Sequence, residues 1–208
     1  MKEYSLYIFD FDNTLFDTSI GLKTILDSAM PAVGLEYDHS RFPEFAGLSM
    51  EQIFDRFVGD ESKRELFCGK FMEAVRSDAY MAAEPFPETE QVLRELKSRG
   101  KRIAIASGKY RYKIERLLDK YGLGDLPETI VGYEDTERRK PYPDPILLAM
   151  SRFGAGRKDA VYVGDGPHDP VAAENAGIDS AIVNRHNGLS LDGIPCTWEL
   201  DSLEDLLG

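Results

Sequence analysis

Five short runs along the chain are almost continuously apolar: residues 6–9, 103–106, 129–131, 161–163 and 181–183. Each is rich in β-branched or aromatic side chains and stops abruptly at polar residues. Strands covered on both faces read this way, because neither side meets water. Between the last four runs the spacing becomes helical. Val92, Leu93 and Leu96 form one stripe closed by Gly100, and Ile114, Leu117, Leu118 and Tyr121 form the next, closed by Gly122. Ile146, Leu147 and Met150 follow Pro143 and Pro145, while Ala172, Ala173 and Ala176 precede Gly177. A glycine just past the last apolar position ends a helix by taking the left-handed conformation. Strands alternating with helices predict βαβ units. Their fixed handedness then predicts a doubly wound, parallel, five-stranded α/β core sheet with helices on both faces.

The stretch between the first and second strands breaks this rhythm. It contains no strand pattern and is too long for one crossover helix. Helices are expected over 20–33, 49–57 and 63–81, the second opened by a capping box of Ser49 with Gln52. Pro85 and Pro87 mark the return to the sheet. The expected organisation is a helical cap domain, residues 18–83, inserted after the first strand of a core domain made of 1–17 and 84–208.

Composition narrows the class. With 208 residues, 42% hydrophobic and 30% charged, the chain can bury a substantial core and is unlike a disordered protein. No apolar run approaches the roughly 18 residues of a membrane span. Met1-Lys2-Glu3-Tyr4 leads straight into a strand with no charged leader, and Cys68 and Cys196 lack disulfide or zinc spacing. A cytoplasmic protein is expected. A net charge of -12 opposes nucleic-acid binding, which depends on cationic side chains. A small anionic substrate remains compatible with it, because a local metal and lysine override the global sign. The expected partner is therefore a small metabolite, with no nucleic acid and no membrane. Monomer and homodimer both stay open.

Ligands of open α/β sheets collect beyond the carboxyl ends of the strands. There the sequence places Asp10-Phe11-Asp12-Asn13-Thr14, then Ser107-Gly108-Lys109, then Lys140-Pro141 across a loop, then Gly164-Asp165 with Asp169. Asp10 and Asp12, two apart in extended chain, share a face. Buried carboxylates need a cation nearby. Asp165 adds a third, and this oxygen-rich set suits magnesium better than calcium, which wants more ligands, or zinc, which wants His or Cys. A single Asp after a strand is more often a turn or a cap. Lys140 also reads as a solvated loop lysine, and Lys109 as an exposed first turn. Four polar signatures in order at four strand ends argue against coincidence.

Together these residues resemble the four motifs of the haloacid dehalogenase-like superfamily, and the helical insert resembles that of its phosphoglycolate phosphatase-like and β-phosphoglucomutase-like members. The resemblance covers essentially the whole chain. It implies Asp10 as the nucleophile that becomes an aspartyl-phosphate. It implies Asp12 as the general acid and then base, and Ser107, Gly108 and Lys140 as phosphate ligands. Mg²⁺ would be held by Asp10, Asp165 and the backbone carbonyl of Asp12, with Asp169 and Thr14 in support. Asn13 stands where many relatives carry Gly, and Gly166 where Ser is common. Asn tolerates unusual backbone angles better than most residues. In the cap, Arg41, Phe42, Phe45 and Ser49 flank the Ala46-Gly47-Leu48 turn and are candidate substrate contacts, as is Lys109 in the core.

The expected activity is hydrolysis of a small organic phosphomonoester, phosphoglycolate-like or a sugar phosphate. Asp12 argues against dehalogenation, because a departing halide needs no proton. A phosphomutase ranks lower, since 18–22 lacks the cap-hinge His of the mutase-like relatives. A pyrophosphatase on the same fold stays open. A non-enzymatic binding protein would not need the full set of four.

Overall fold

The computed structural model describes residues 1–45, 48–185 and 195–208. The described chain divides into two compact units, one of Met1–Asp17 with the chain from Glu84 onward, the other spanning Thr18–Ala83.

The first unit opens with β1 (Leu6–Phe9), fully buried, and the two-residue β2 (Phe16–Asp17). The helical unit follows with α1 (Ser19–Ala32), α2 (Met50–Ile53) and α3 (Arg64–Arg76). The chain returns through β3 (Glu84–Pro85), which pairs antiparallel with β2. Then come α4 (Thr89–Ser98), β4 (Arg102–Ala106), α5 (Arg111–Lys120), β5 (Thr129–Val131), α6 (Asp144–Phe153), β6 (Ala160–Gly164), α7 (His168–Ala176), β7 (Asp179–Val183) and β8 (Trp198–Leu200).

Among the described residues the main sheet has six parallel strands in the order β5-β4-β1-β6-β7-β8. The sixth, β8, corrects the expectation of five. Its Trp-Glu-Leu runs half-buried, exposed, buried, so it carries no continuous apolar signal. The first strand stands in the middle, with Phe9 in register with Ile105 on one side and Val163 on the other. The chain therefore reverses direction across the sheet beside β1, and the crevice at such a reversal is where ligands bind. Leu6 and Ile8 pack with Ile146, Ala149 and Met150 of α6 and Ala172, Ala173 and Ala176 of α7. Tyr7 and Phe9 alternate onto the opposite face and are equally buried, while α4 packs on β4 with Val92, Leu93 and Leu96 buried. Each such side chain contributes about 1.5–3 kcal/mol of hydrophobic stabilisation. Leu147, expected in the apolar stripe of α6, is instead exposed.

The helical unit has its own interior, built from Leu26, Ala29, Met30, Ile53, Phe54, Phe67 and Phe71. The Ser49–Gln52 capping box forms, with Ser49 N–H donating to Gln52 Oε1 at 2.8 Å. The helix expected over 49–57 is four residues of α2 followed by a π-helical turn, Phe54–Val58, stopped by left-handed Gly59. The one expected over 63–81 breaks at Ser77, whose hydroxyl accepts from Ala79 N–H and opens a separate 3-10 turn, Asp78–Ala82. No helix among the described residues is long and apolar enough to cross a membrane.

Candidate active site

Asp10 extends β1 by one residue, its N–H donating to Val163 O at 2.8 Å. This fixes the start of a tight loop. Phe11 O accepts N–H bonds from Thr14, Leu15 and Phe16, and Asn13 N–H returns to Phe16 O. To close that loop Asn13 adopts φ 55, a left-handed conformation that Asn tolerates and most L residues avoid. The side chain of Asp10 is 11% exposed and that of Lys140 12%.

The ammonium of Lys140 lies between two carboxylates, 2.7 Å from Asp10 Oδ2 and 2.7 Å from Asp169 Oδ1. The other oxygen of Asp169 accepts the N–H groups of Asp165 at 3.0 Å and Gly166 at 2.8 Å. Asp169 thus orients Lys140 and shapes the turn carrying Asp165. Gly164 permits this approach, because a Cβ there would collide with the carboxylate and Cβ of Asp169. Asp165 Oδ1 accepts the Thr14 hydroxyl at 3.0 Å. Carboxylate oxygens of Asp10, Asp165 and Asp169 all lie within 4.8 Å of one another. Burial, and then the neighbouring carboxylates Asp10 and Asp169, push Asp165 up to about 7. Burial likewise pushes Asp10 up to about 6, against the pull of Lys140. Burial draws the Lys140 ammonium down, but Asp10 and Asp169 outweigh it and hold it well above the usual lysine range.

Asp10 Oδ1 is buried with no hydrogen-bond partner among the described residues. A bare carboxylate oxygen beside further carboxylates is an acceptor that asks for a cation. The donors are all hard oxygens, so a divalent cation of oxygen preference fits this set, whereas a soft or imidazole-seeking metal does not.

The remaining predicted residues divide. The Asp12 carboxylate does not join the cluster; its Oδ1 meets Lys109 Nζ at 2.5 Å. Asp12 was expected to bind metal through its backbone carbonyl, which this side-chain pairing leaves untouched. Lys109 is therefore no exposed first-turn lysine. Ser107 is buried at the end of β4, its N–H donating to Val131 O and its hydroxyl accepting from Lys109 N–H at 3.4 Å. Gly108 is exposed, and α5 starts only at Arg111.

The cap residues fare differently. Phe45 is 2% exposed and stacks on Phe57 at 4.0 Å within the helical unit. Its ring completes an aromatic cluster with Tyr37 and Phe57. Ser49 caps α2. Arg41 is exposed and paired with Glu44 through both Nε and Nη2. Residues 46–47 lie outside the described residues, as does His186. His39 meets Asp27 at 2.8 Å.

Sequence reasoning missed Arg185, whose guanidinium reaches Glu88 and the carbonyl of Thr14. Only its position just after a strand's carboxyl end could have drawn attention to it.

The sequence profile of the haloacid dehalogenase-like hydrolases matches residues 7–183, a span that includes Asp10, Asp12, Ser107, Lys140, Asp165 and Asp169. The chain belongs to that family. It is 28% identical over 176 residues to a protein of Oceanobacillus iheyensis named pyrophosphatase PpaX, covering 85% of this chain and 81% of that one. It is 27% identical over 176 residues to a protein of Aquifex aeolicus named phosphoglycolate phosphatase, covering 84% and 82%. The crystal structure of a Bacteroides fragilis protein assigned to the haloacid dehalogenase-like hydrolases superposes with a TM-score of 0.81 at 30% identity, covering 98% of this chain and 100% of that one.

Proposed function

We propose that the chain is a cytoplasmic, Mg²⁺-dependent phosphatase that hydrolyses a small organic phosphomonoester through an aspartyl-phosphate on Asp10. The observation that carries this is the bare, buried Oδ1 of Asp10 beside the Lys140 ammonium and two further carboxylates.

Asp10 attacks phosphorus through a carboxylate oxygen as the ester P–O bond breaks, and Asp12, once parted from Lys109 and protonated, gives its proton to the departing alkoxide. Water then attacks the phosphoenzyme, Asp12 takes the water's proton, and the bond from phosphorus to Asp10 breaks, releasing phosphate. Splitting the hydrolysis in two lowers each barrier. Two unit negative charges 4 Å apart repel by about 4 kcal/mol at an effective dielectric of 20. Lys140, held between carboxylates, reverses that sign for an incoming phosphate, and Ser107 and Gly108 at the end of β4 supply further donors. Mg²⁺, held by Asp10, Asp165 and the Asp12 carbonyl, would neutralise charge on the transferring group.

A second reading, inorganic pyrophosphatase, is favoured by the name of the Oceanobacillus relative. The test is phosphate release from phosphoglycolate, sugar phosphates and pyrophosphate, with Mg²⁺ and with chelator. Mg²⁺-dependent release from a monoester is expected. Release from pyrophosphate alone moves the assignment to the second reading, and activity surviving chelation removes the metal from it. Isomerisation of a glucose phosphate without net release would indicate a mutase.

Metal and pH are linked through the same carboxylates. Asp10 and Asp165 have folded-state values of about 6 and about 7, above their ordinary 3.8. Their contribution to stability is therefore full below about pH 4 and lost as pH rises through about 7, an effect on the order of a few kcal/mol. In chelator the melting temperature should fall between about pH 5 and pH 8. Mg²⁺, which binds the ionised forms, should raise it more at the higher pH. A Mg²⁺-induced rise equal at both pH values would contradict this account.

A further inference from the structure

Arg185 lies two residues beyond the end of β7, and its guanidinium is buried, with the side chain 9% exposed. Among the described residues it makes three contacts. Nη1 meets Glu88 Oε1 at 2.6 Å, Nη2 donates to the backbone carbonyl of Thr14, and the guanidinium lies over the Phe86 ring, 3.6 Å from its centroid. Thr14 is the residue whose hydroxyl donates to Asp165 Oδ1. A short chain of contacts therefore runs from Arg185 through Thr14 to a carboxylate of the acidic cluster. The next carbonyl, of Leu15, is held by the N–H of Phe86 at 3.0 Å and the hydroxyl of Thr89 at 2.7 Å. The loop carrying Asp12 and left-handed Asn13 is thus gripped from outside at two successive carbonyls.

Stability alone accounts poorly for this arrangement. A buried Arg–Glu pair gains in Coulomb energy roughly what it loses in desolvation, and apolar replacements of similar volume are often neutral. Arg185 Nε is, moreover, buried with no partner among the described residues. What the pair does supply is a fixed direction, since a planar guanidinium stacked on a ring and tied to a carboxylate aims its remaining N–H along one line.

We propose that Arg185, braced by Glu88 and Phe86, is a positioning residue. It fixes the Thr14 carbonyl and so presets the Asp12–Thr14 loop and the orientation of Asp165 before cation or phosphate binds. The proposal rests on the phosphatase reading above. Arg185 touches neither substrate nor cation; it acts through Thr14.

The test is the double variant Arg185→Met/Glu88→Met, which removes the ion pair without stranding either charge. Three quantities are compared with wild type: melting temperature, Mg²⁺ affinity by titration calorimetry, and kcat with KM under saturating Mg²⁺. Loss of a residue that orients a ligand weakens metal binding about 10–100-fold. We expect Mg²⁺ affinity and kcat both to fall by about tenfold or more, with KM within about threefold. Wild-type Mg²⁺ affinity and kcat in the folded double variant overturn the proposal, whatever its melting temperature, because the pair is then merely structural. Should the double variant not fold, Glu88→Gln keeps Arg185 in place and loosens its brace. A measurable loss of Mg²⁺ affinity there supports positioning, and an unchanged affinity overturns it. Wild-type protein that neither binds Mg²⁺ nor releases phosphate defeats the phosphatase reading itself, a result separable from an active wild type with an indifferent variant.

Discussion

Asp10→Asn protein is expected to fold normally and to release phosphate at least about 10⁴-fold more slowly than wild type, since loss of a covalent nucleophile removes a pathway rather than a contact. The substitution keeps the shape of the side chain and replaces one oxygen by an amide nitrogen, which cannot take up the phosphoryl group. Folding should survive because burial already raises Asp10 to about 6, so the site tolerates a neutral group there better than most carboxylate sites would. Lys140 keeps its second partner, Asp169. In chelator the variant should melt at or above the wild-type temperature, one carboxylate having left a crowded acidic cluster. Phosphate release and thermal melting on the same preparation settle the matter. Turnover within tenfold of wild type would remove Asp10 from the chemistry.

Lys140→Met should do the opposite to stability while also harming activity. Two carboxylates, with side chains 11% and 3% exposed, would face one another without their shared cation. Removing one partner of a buried ion pair costs about 3–5 kcal/mol. For a chain of this size each kcal/mol moves the melting temperature by roughly 2–4 °C, so a drop on the order of 10 °C is expected in chelator. Phosphate would also lose a fixed positive partner, which is worth about 10²–10³-fold in rate. The melting deficit should shrink towards about pH 5, where Asp10, already raised by burial, takes up a proton. A variant with wild-type melting and wild-type kcat would show that the two 2.7 Å contacts of Lys140 carry neither stability nor catalysis.

Five of the six strands were legible because their runs are continuously apolar, as in the fully buried Leu-Tyr-Ile-Phe of β1. The edge strand β8 was not, since three residues with one exposed Glu leave almost no pattern. In the site, the order of polar residues at the strand ends was readable, and so was the capacity of Asn13 for a left-handed backbone. Pairings between distant segments were not. Nothing near Lys140 in sequence says that its ammonium will bridge Asp10 and Asp169, nor does anything near Lys109 name Asp12 as its partner, 97 residues away. Arg185 is the extreme case, because its meaning lies wholly in Thr14, Phe86 and Glu88. The burial of Phe45 against Tyr37 and Phe57 was likewise out of reach, because those partners lie 8 or more residues away in sequence.

The strands β2 and β3, two residues each, pair antiparallel, with Phe16 opposite Pro85 and Asp17 opposite Glu84. The helical unit therefore leaves the sheet unit and rejoins it at a single doorway whose two jambs are already hydrogen-bonded to each other. For the sheet, everything between them amounts to the tip of a hairpin, and lengthening a tip costs only the slow logarithm of loop closure. The length and sequence of residues 18–83 can therefore change without altering how the strands of the sheet are paired.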